Sequence, residues 1–317
     1  MYKHLNKIRI SIIFLILFSV FYSFVASQEE EIVFVPYSES PKEIVDDLYN
    51  RGYISNKFNY YSILLLSSLL GDIEPGGYSL NRAMGALTLH AKLSEPDYRY
   101  VTIPEGVRKE EIADILADKL DWSDEKRKEF GSSVPQCFFI GGEGFFAAGK
   151  YLLHKDESID IIKNEMHKRF LENISEKLGG PQEGIVNLHQ AVTIASLIQK
   201  EAAGKNDMRL ISGIIWNRLF EEIPLQIDAT LQFAKGKEGY WWPKVNARDK
   251  FIDSPYNTYK NEGLPPGPIA TPSMDAVEAA ISPSDTDCLF YIHDRSRNIH
   301  CSTTYEGHKR NIAYYLK

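Results

Sequence analysis

Apolar positions between residues 187 and 203 recur at the spacing of one helix face, and the pattern predicts an amphipathic helix there. Ile194, Leu197 and Ile198 lie seven, four and three residues before Glu201, so the glutamate continues their stripe while Gln199 and Lys200 turn to other sides. The same periodicity predicts helices over about 107–120, 158–177, 206–222 and 273–281, and strands over about 99–103 and 288–293. The end of the chain, "CLFYIHDRSRNIHCSTTYEGHKRNIAYYLK", reads as a hairpin with a polar turn at "DRSRN" and a terminal helix.

Earlier in the chain, "VFVPYSESPKEIVDDLYNRGYI" and "VTIPEGVRKEEIADILADKL" each read as strand, proline, turn and amphipathic helix, either an internal repeat or two uses of a common unit. Between them "NKFNYYSILLLSSLLG" predicts a second helix, with Tyr60 and Tyr61 in its core and on its surface, and "EPGGYSLN" a Gly-rich turn. The expected architecture is α+β: a small mixed domain to about residue 97, then a larger, helix-rich α+β domain from Tyr98, with no long linker between them.

At 317 residues, 44% hydrophobic and 25% charged, the chain has room for two globular domains. A formal net charge of -7 and the lack of any run of lysines or arginines exclude a nucleic-acid footprint. Cys137, Cys288 and Cys301 are odd in number and widely spaced, which argues against a disulfide framework and a paired-cysteine zinc site. Lys3, Lys7 and Arg9 precede the apolar run "ISIIFLILFSVFYSFVA", and acidic residues follow it, so the segment is expected to enter a membrane, as anchor or cleaved signal, with the rest of the chain outside the cytoplasm.

Glu201 acquires company from "EGFF" at 143–146, "WNRL" at 216–219, "LQIDAT" at 225–230 and above all "SPYNTYKNEGLPPGPIATPS" at 254–273. Together these stretches resemble the endolytic murein transglycosylase family, the MltG or YceG-like proteins. The resemblance implies a cytoplasmic tail at 1–8, a transmembrane segment at 9–26, a LysM-like subdomain at 27–97 and a catalytic domain at 98–317. It implies cleavage of the β-1,4 link between N-acetylmuramic acid and N-acetylglucosamine, leaving 1,6-anhydro ends and trimming or terminating nascent strands. No cofactor is implied. The expected partners are peptidoglycan glycan strands, the cytoplasmic membrane and peptidoglycan synthases, with the catalytic domain extracytoplasmic on a single-pass anchor.

By position in "ASLIQKEA", Glu201 matches the family's catalytic glutamate, and physics favours the role: a carboxylate on an apolar face has its pKa raised above about 4.3 and keeps a proton to donate. The alternative is a structural pair with Arg218 on the next helix. Gln199 stands where the family usually has another glutamate. Asn257 and Tyr256 are expected to contact sugar through an amide and a ring face, Tyr259 to do so or fill core, and the two prolines to stiffen the loop. Gln226 and Asp228 match family positions, although Ile227, Ala229 and Phe233 replace a small hydroxyl residue, a proline and a tyrosine; Asp228 serves the site or caps the helix after it. Glu143, with Ala148 and Gly149 departing nearby, is a cleft residue or a solvated loop glutamate. Ser302 and Thr304 are candidate sugar contacts. His293, His300, Cys301 and His308 fit no zinc spacing, so no metal is expected. The rival readings are a muramidase with Asp228 or Asp253 as second carboxylate, and a wall-binding protein without catalysis.

Overall fold

The computed structural model describes residues 29–65, 71–132, 142–178 and 187–316. The expected membrane segment and Cys137 lie outside these residues, and among the described ones no helix is long and apolar enough to cross a membrane. The chain divides into two compact units, one of residues 1–100 and 151–156, the other of residues 101–150 and 157–317. The architecture is mixed α+β, with eleven α-helices among the described residues.

In the first unit β1 (Glu31–Val35) runs antiparallel to β2 (Gly76–Leu80), and the sheet order continues to β3 (Tyr98–Ile103) and β4 (Gly149–His154), of which residues 98–100 and 151–154 belong to this unit. β1 alternates: Val33 and Val35 enter the core while Ile32 and Phe34 face out, as a strand's period of two requires. α1 (Pro41–Asn50) begins at a capping box, Ser40 and Glu43 satisfying each other's backbone amides, with Pro41 in the first turn. α2 (Lys57–Leu64) and α3 (Ala86–Leu93) complete the unit, and Leu48, Tyr60, Tyr78 and Leu93 pack with Val33 in its core. Tyr60 is fully buried and Tyr61 partly so, as the helix reading expected.

The second unit is built from helices: α4 (Lys109–Leu120), α5 (Asp124–Ser132), α6 (Ile159–Leu178), α7 (Leu188–Glu201), α8 (Lys205–Phe220), α9 (Asp228–Lys235), α10 (Met274–Ile281) and α11 (Tyr305–Tyr315). A 3₁₀ turn (Ala247–Phe251) and the hairpin of β5 (Phe290–His293) with β6 (Ile299–Ser302) accompany them. α7 is the hub. Asn187 and Gln190 form its capping box, and α8, α9 and α10 pack around it. Ile194, Leu197 and Ile198 are fully buried with Ile211, Ile269 and Val277. The predicted hairpin and terminal helix are both present, and α11 lies against both strands.

Cys288 and Cys301 form a disulfide that joins the two sides of the hairpin. The odd cysteine count misled the expectation, because pairing depends on distance: Cys288, just before β5, comes within 5.9 Å, Cα to Cα, of Cys301 on β6, which the register sets opposite Tyr291.

Candidate functional site

Glu201 is the last residue of α7, where the buried stripe reaches the end of the helix. The hairpin carries Tyr291 to it, and the Tyr291 hydroxyl donates to Glu201 Oε2 at 2.7 Å. Burial and the adjacent glutamate hold the Tyr291 phenol well above its usual pKa, so it stays a donor. Two residues along β5, His293 Nε2 donates to Asp207 Oδ2 at 2.6 Å. The Asp207 carboxylate also accepts from the Ala203 and Gly204 amides at 2.9 and 3.1 Å, closing the turn between α7 and α8. The hairpin is thus fastened on both sides of the turn that follows Glu201.

Burial pushes the Glu201 carboxyl above the usual carboxylate range. The Tyr291 hydrogen bond opposes that shift, the nearby Asp228 charge adds to it, and His293 and the Ala229 backbone N–H oppose it again. Ala229 replaces the expected proline, which would have no N–H to offer.

A cavity of about 550 Å³, within the range of small-ligand sites, opens at Glu201. Asp228, Gln226, Arg218, Tyr259 and Lys250 line it with Tyr291 and the apolar Ile227 and Phe290. Tyr259 donates to Asp228 Oδ1 at 2.6 Å, and burial, before that bond, raises its phenol pKa. Gln226 adopts a left-handed backbone, φ 54°, a conformation uncommon outside glycine. Its amide N donates to Thr258 O at 3.0 Å, and its Oε1 accepts from Arg218 Nη2 at 3.4 Å.

Several expected residues stand elsewhere. Asn257 is 0% exposed, and its Nδ2 donates to Lys250 O and Ile252 O while its Oδ1 accepts from the Tyr259 amide. Both ends of the amide are spent inside the loop, so it staples the loop and leaves Tyr259 as the loop's contribution to the cavity wall. Tyr256 packs its ring on Phe233, centroids 4.7 Å apart, in the hydrophobic cluster. Asp228 opens α9, but its side chain makes no cap: Ile227 occupies the cap position. Thr304 caps α11 by accepting from the Gly307 amide at 3.1 Å, and the Ser302 hydroxyl turns to Thr304 O. Neither lines the cavity. Gln199 accepts from the Ser273 amide at 2.9 Å, a task a neutral acceptor fulfils. Asp253 is fully exposed and pairs with Lys260.

Glu143 is neither a solvated loop residue nor part of this cavity. It is half-buried and accepts from the Lys109 amide at 3.1 Å, at the start of α4. Burial, with a contribution from Glu110, pushes its pKa up to about 8. The Arg218–Glu201 pair is not formed either: Arg218 donates to Leu289 O and Gln226 Oε1, both at 3.4 Å. Among the described residues no group of His, Cys, Asp and Glu could hold a metal ion, and Cys301 is bonded to Cys288.

The sequence reading overlooked Tyr291. The hairpin prediction contained its signal, since an alternating strand beside a helix ending in glutamate offers a phenol to that glutamate, but the register had to be known.

A mixed α+β unit with a half-buried carboxyl at the mouth of a polar cavity is a frame suited to acid–base chemistry on a polar ligand. Residues 33–314 match the YceG-like family, and the chain belongs to it. It is similar to an endolytic murein transglycosylase of Bacillus subtilis, 30% identical over 89% of this chain and 84% of the relative. It is also similar to an endolytic murein transglycosylase of Streptococcus pneumoniae, 28% identical over 89% of this chain and 58% of that longer protein. The crystal structure of a yceG-like protein from Listeria monocytogenes superposes with a TM-score of 0.58 at 27% identity, covering 90% of this chain and 99% of that one.

Proposed function

We propose that this protein is an endolytic peptidoglycan lytic transglycosylase that cuts the β-1,4 bond between N-acetylmuramic acid and N-acetylglucosamine, with Glu201 as acid and then base. The observation that carries the reading is the Glu201 carboxyl at the cavity, raised in pKa by burial and held by the Tyr291 hydroxyl. Glu201 donates its proton to the glycosidic oxygen as the bond to the anomeric carbon breaks, and the N-acetylglucosamine leaves with a free 4-hydroxyl. The ionised carboxylate, stabilised by Tyr291 and the Ala229 N–H, then takes the proton of the muramyl 6-hydroxyl as that oxygen bonds to the anomeric carbon. One carboxyl is regenerated and no water enters.

The relatives are murein transglycosylases, which supports the substrate class. The basic residues ahead of the apolar run support a membrane-anchored enzyme with both domains outside the cytoplasm, able to trim nascent strands beside peptidoglycan synthases, and the disulfide suits an oxidising compartment. The first unit would bind glycan, as a LysM-like module does.

Asp228 shares the cavity, and this keeps a muramidase as the second reading. Incubating the protein with purified peptidoglycan and weighing the fragments separates the two. Anhydro-ended products are expected; products heavier by one water would establish hydrolysis, and intact strands that remain bound would leave only a binding protein.

A further inference from the structure

Arg218 lines the same cavity as Glu201 yet has no carboxylate partner among the described residues. It is 9% exposed; Nη1 and Nη2 make only long bonds, of 3.4 Å, to neutral acceptors, and Nε has no partner. A buried guanidinium normally requires a partner, because the desolvation of an ion costs several kcal/mol of the order that only good ionic hydrogen bonds return. His308, on the same wall, has an unpartnered Nδ1. Lys250, a second lining cation, lies over the Tyr259 ring at 4.6 Å without a carboxylate of its own among the described residues. Among the described lining residues two cations, Arg218 and Lys250, face two carboxylates, Glu201 and Asp228; Asp228 accepts from Tyr259 and Glu201 from Tyr291, so neither carboxylate pairs with a cation, in a chain whose net charge is -7.

We propose that Arg218 and Lys250 form a subsite for a carboxylate carried by the glycan, so that the cavity selects strands bearing an acid near the scissile bond. The inference rests on the glycan reading above and adds a specificity determinant to it. Muramyl residues offer that chemistry from two sources: the stem peptide, or the free lactyl group of a strand stripped of peptide. The guanidinium would donate to either carboxylate through its outer edge, in place of its weak bonds to Leu289 O and Gln226 Oε1.

The test uses the full chain carrying Glu201→Gln, titrated calorimetrically with three soluble glycans: peptide-bearing muramyl oligosaccharides, the same strands stripped to free lactyl acids, and the stripped strands with each lactyl acid converted to its methylamide. An acidic probe should bind about tenfold or more tightly than the methylamide, the size of one good charge-assisted contact. The tighter of the two acidic probes identifies the source. The preference should fall in an added Arg218→Gln, and also in Lys250→Ala, whose exposed side chain is removed without disturbing packing if Arg218→Gln fails to fold. Equal affinity for all three glycans overturns the carboxylate subsite and leaves the glycan reading standing. No binding to any of them, by a folded protein, overturns both.

Discussion

Replacing Glu201 by glutamine keeps the shape of the side chain and its capacity to accept from Tyr291, and removes the exchangeable proton. Loss of a general acid costs about 10²- to 10⁴-fold in rate, so fragment release from peptidoglycan should fall by at least a hundredfold. Stability should move the other way. Burial raises the Glu201 pKa in the folded state, so the folded protein binds a proton more tightly than the unfolded chain, and the stability this contributes is complete below the unfolded value. It is lost as pH rises through the folded value, each unit of displacement being worth about 1.4 kcal/mol. Glutamine does not titrate. The two proteins should therefore melt together near pH 4, and the variant should gain progressively toward pH 8, by about 2–4 °C for every kcal/mol in a unit of this size. Calorimetric melting across that range, beside a turnover assay on purified peptidoglycan, reads both quantities. If Glu201 instead served to neutralise a buried cation, glutamine would cost about 3 to 5 kcal/mol at neutral pH and leave turnover intact. That pair of results would refute the catalytic assignment.

Tyr291→Phe removes a bond that lowers the Glu201 pKa, so the alkaline limb of the kcat/KM profile should move to higher pH while kcat falls about tenfold; an unmoved limb would detach Tyr291 from the acid. Asp228→Asn removes a charge that raises the Glu201 pKa, so the same limb should move to lower pH with anhydro products unchanged; complete loss of turnover would favour the hydrolytic reading. Glu143, with its pKa near 8, contributes stability that is complete below about pH 4.5 and is lost as pH rises through 8. Glu143→Gln should flatten that decline in melting temperature, and an unchanged slope would count against the shift. Reducing the Cys288–Cys301 bond, which closes a loop worth about 3 kcal/mol, should lower the melting temperature and the turnover together, because the hairpin it closes presents Tyr291; full activity after reduction would show that the hairpin holds its register unaided.

The helix bearing the site was legible because its signals are local. The stripe of Ile194, Leu197 and Ile198 set the period, and the α7 boundaries fell within two residues of the prediction. α8, α10 and the terminal hairpin were readable for the same reason. The loop was misread where a polar amide was taken for a sugar contact. Asn257 sits in a ribbon that cannot satisfy its own carbonyls with a ladder, so an amide was needed inside to accept and donate for it. Thr304 carried a legible sign, a hydroxyl residue just ahead of a helical pattern, and is the cap that sign describes. The disulfide depends on how the chain entering β5 runs beside β6, and the Tyr291 contact on where the hairpin docks, information that no short window contains.

Two carboxylates share the cavity, and their places in the helices argue for which is the acid. Glu201 ends α7, where the unpaired carbonyls and the negative end of the helix dipole add to burial in disfavouring its charge. Asp228 begins α9 at the positive end, is exposed, and already accepts from Tyr259. The first arrangement disfavours the Glu201 charge, and the neighbouring Asp228 carboxylate reinforces that shift. The departures from the family pattern leave this division intact. Gln199 uses its amide oxygen to hold the Ser273 amide at the start of α10, for which charge is unnecessary, and Ala229 adds an N–H that steadies the Glu201 carboxylate once its proton has gone. Under the proposed function, one titrating carboxyl must be a good acid before the bond breaks and a tolerable anion afterwards; burial would supply the first condition, and Tyr291 and the Ala229 amide the second.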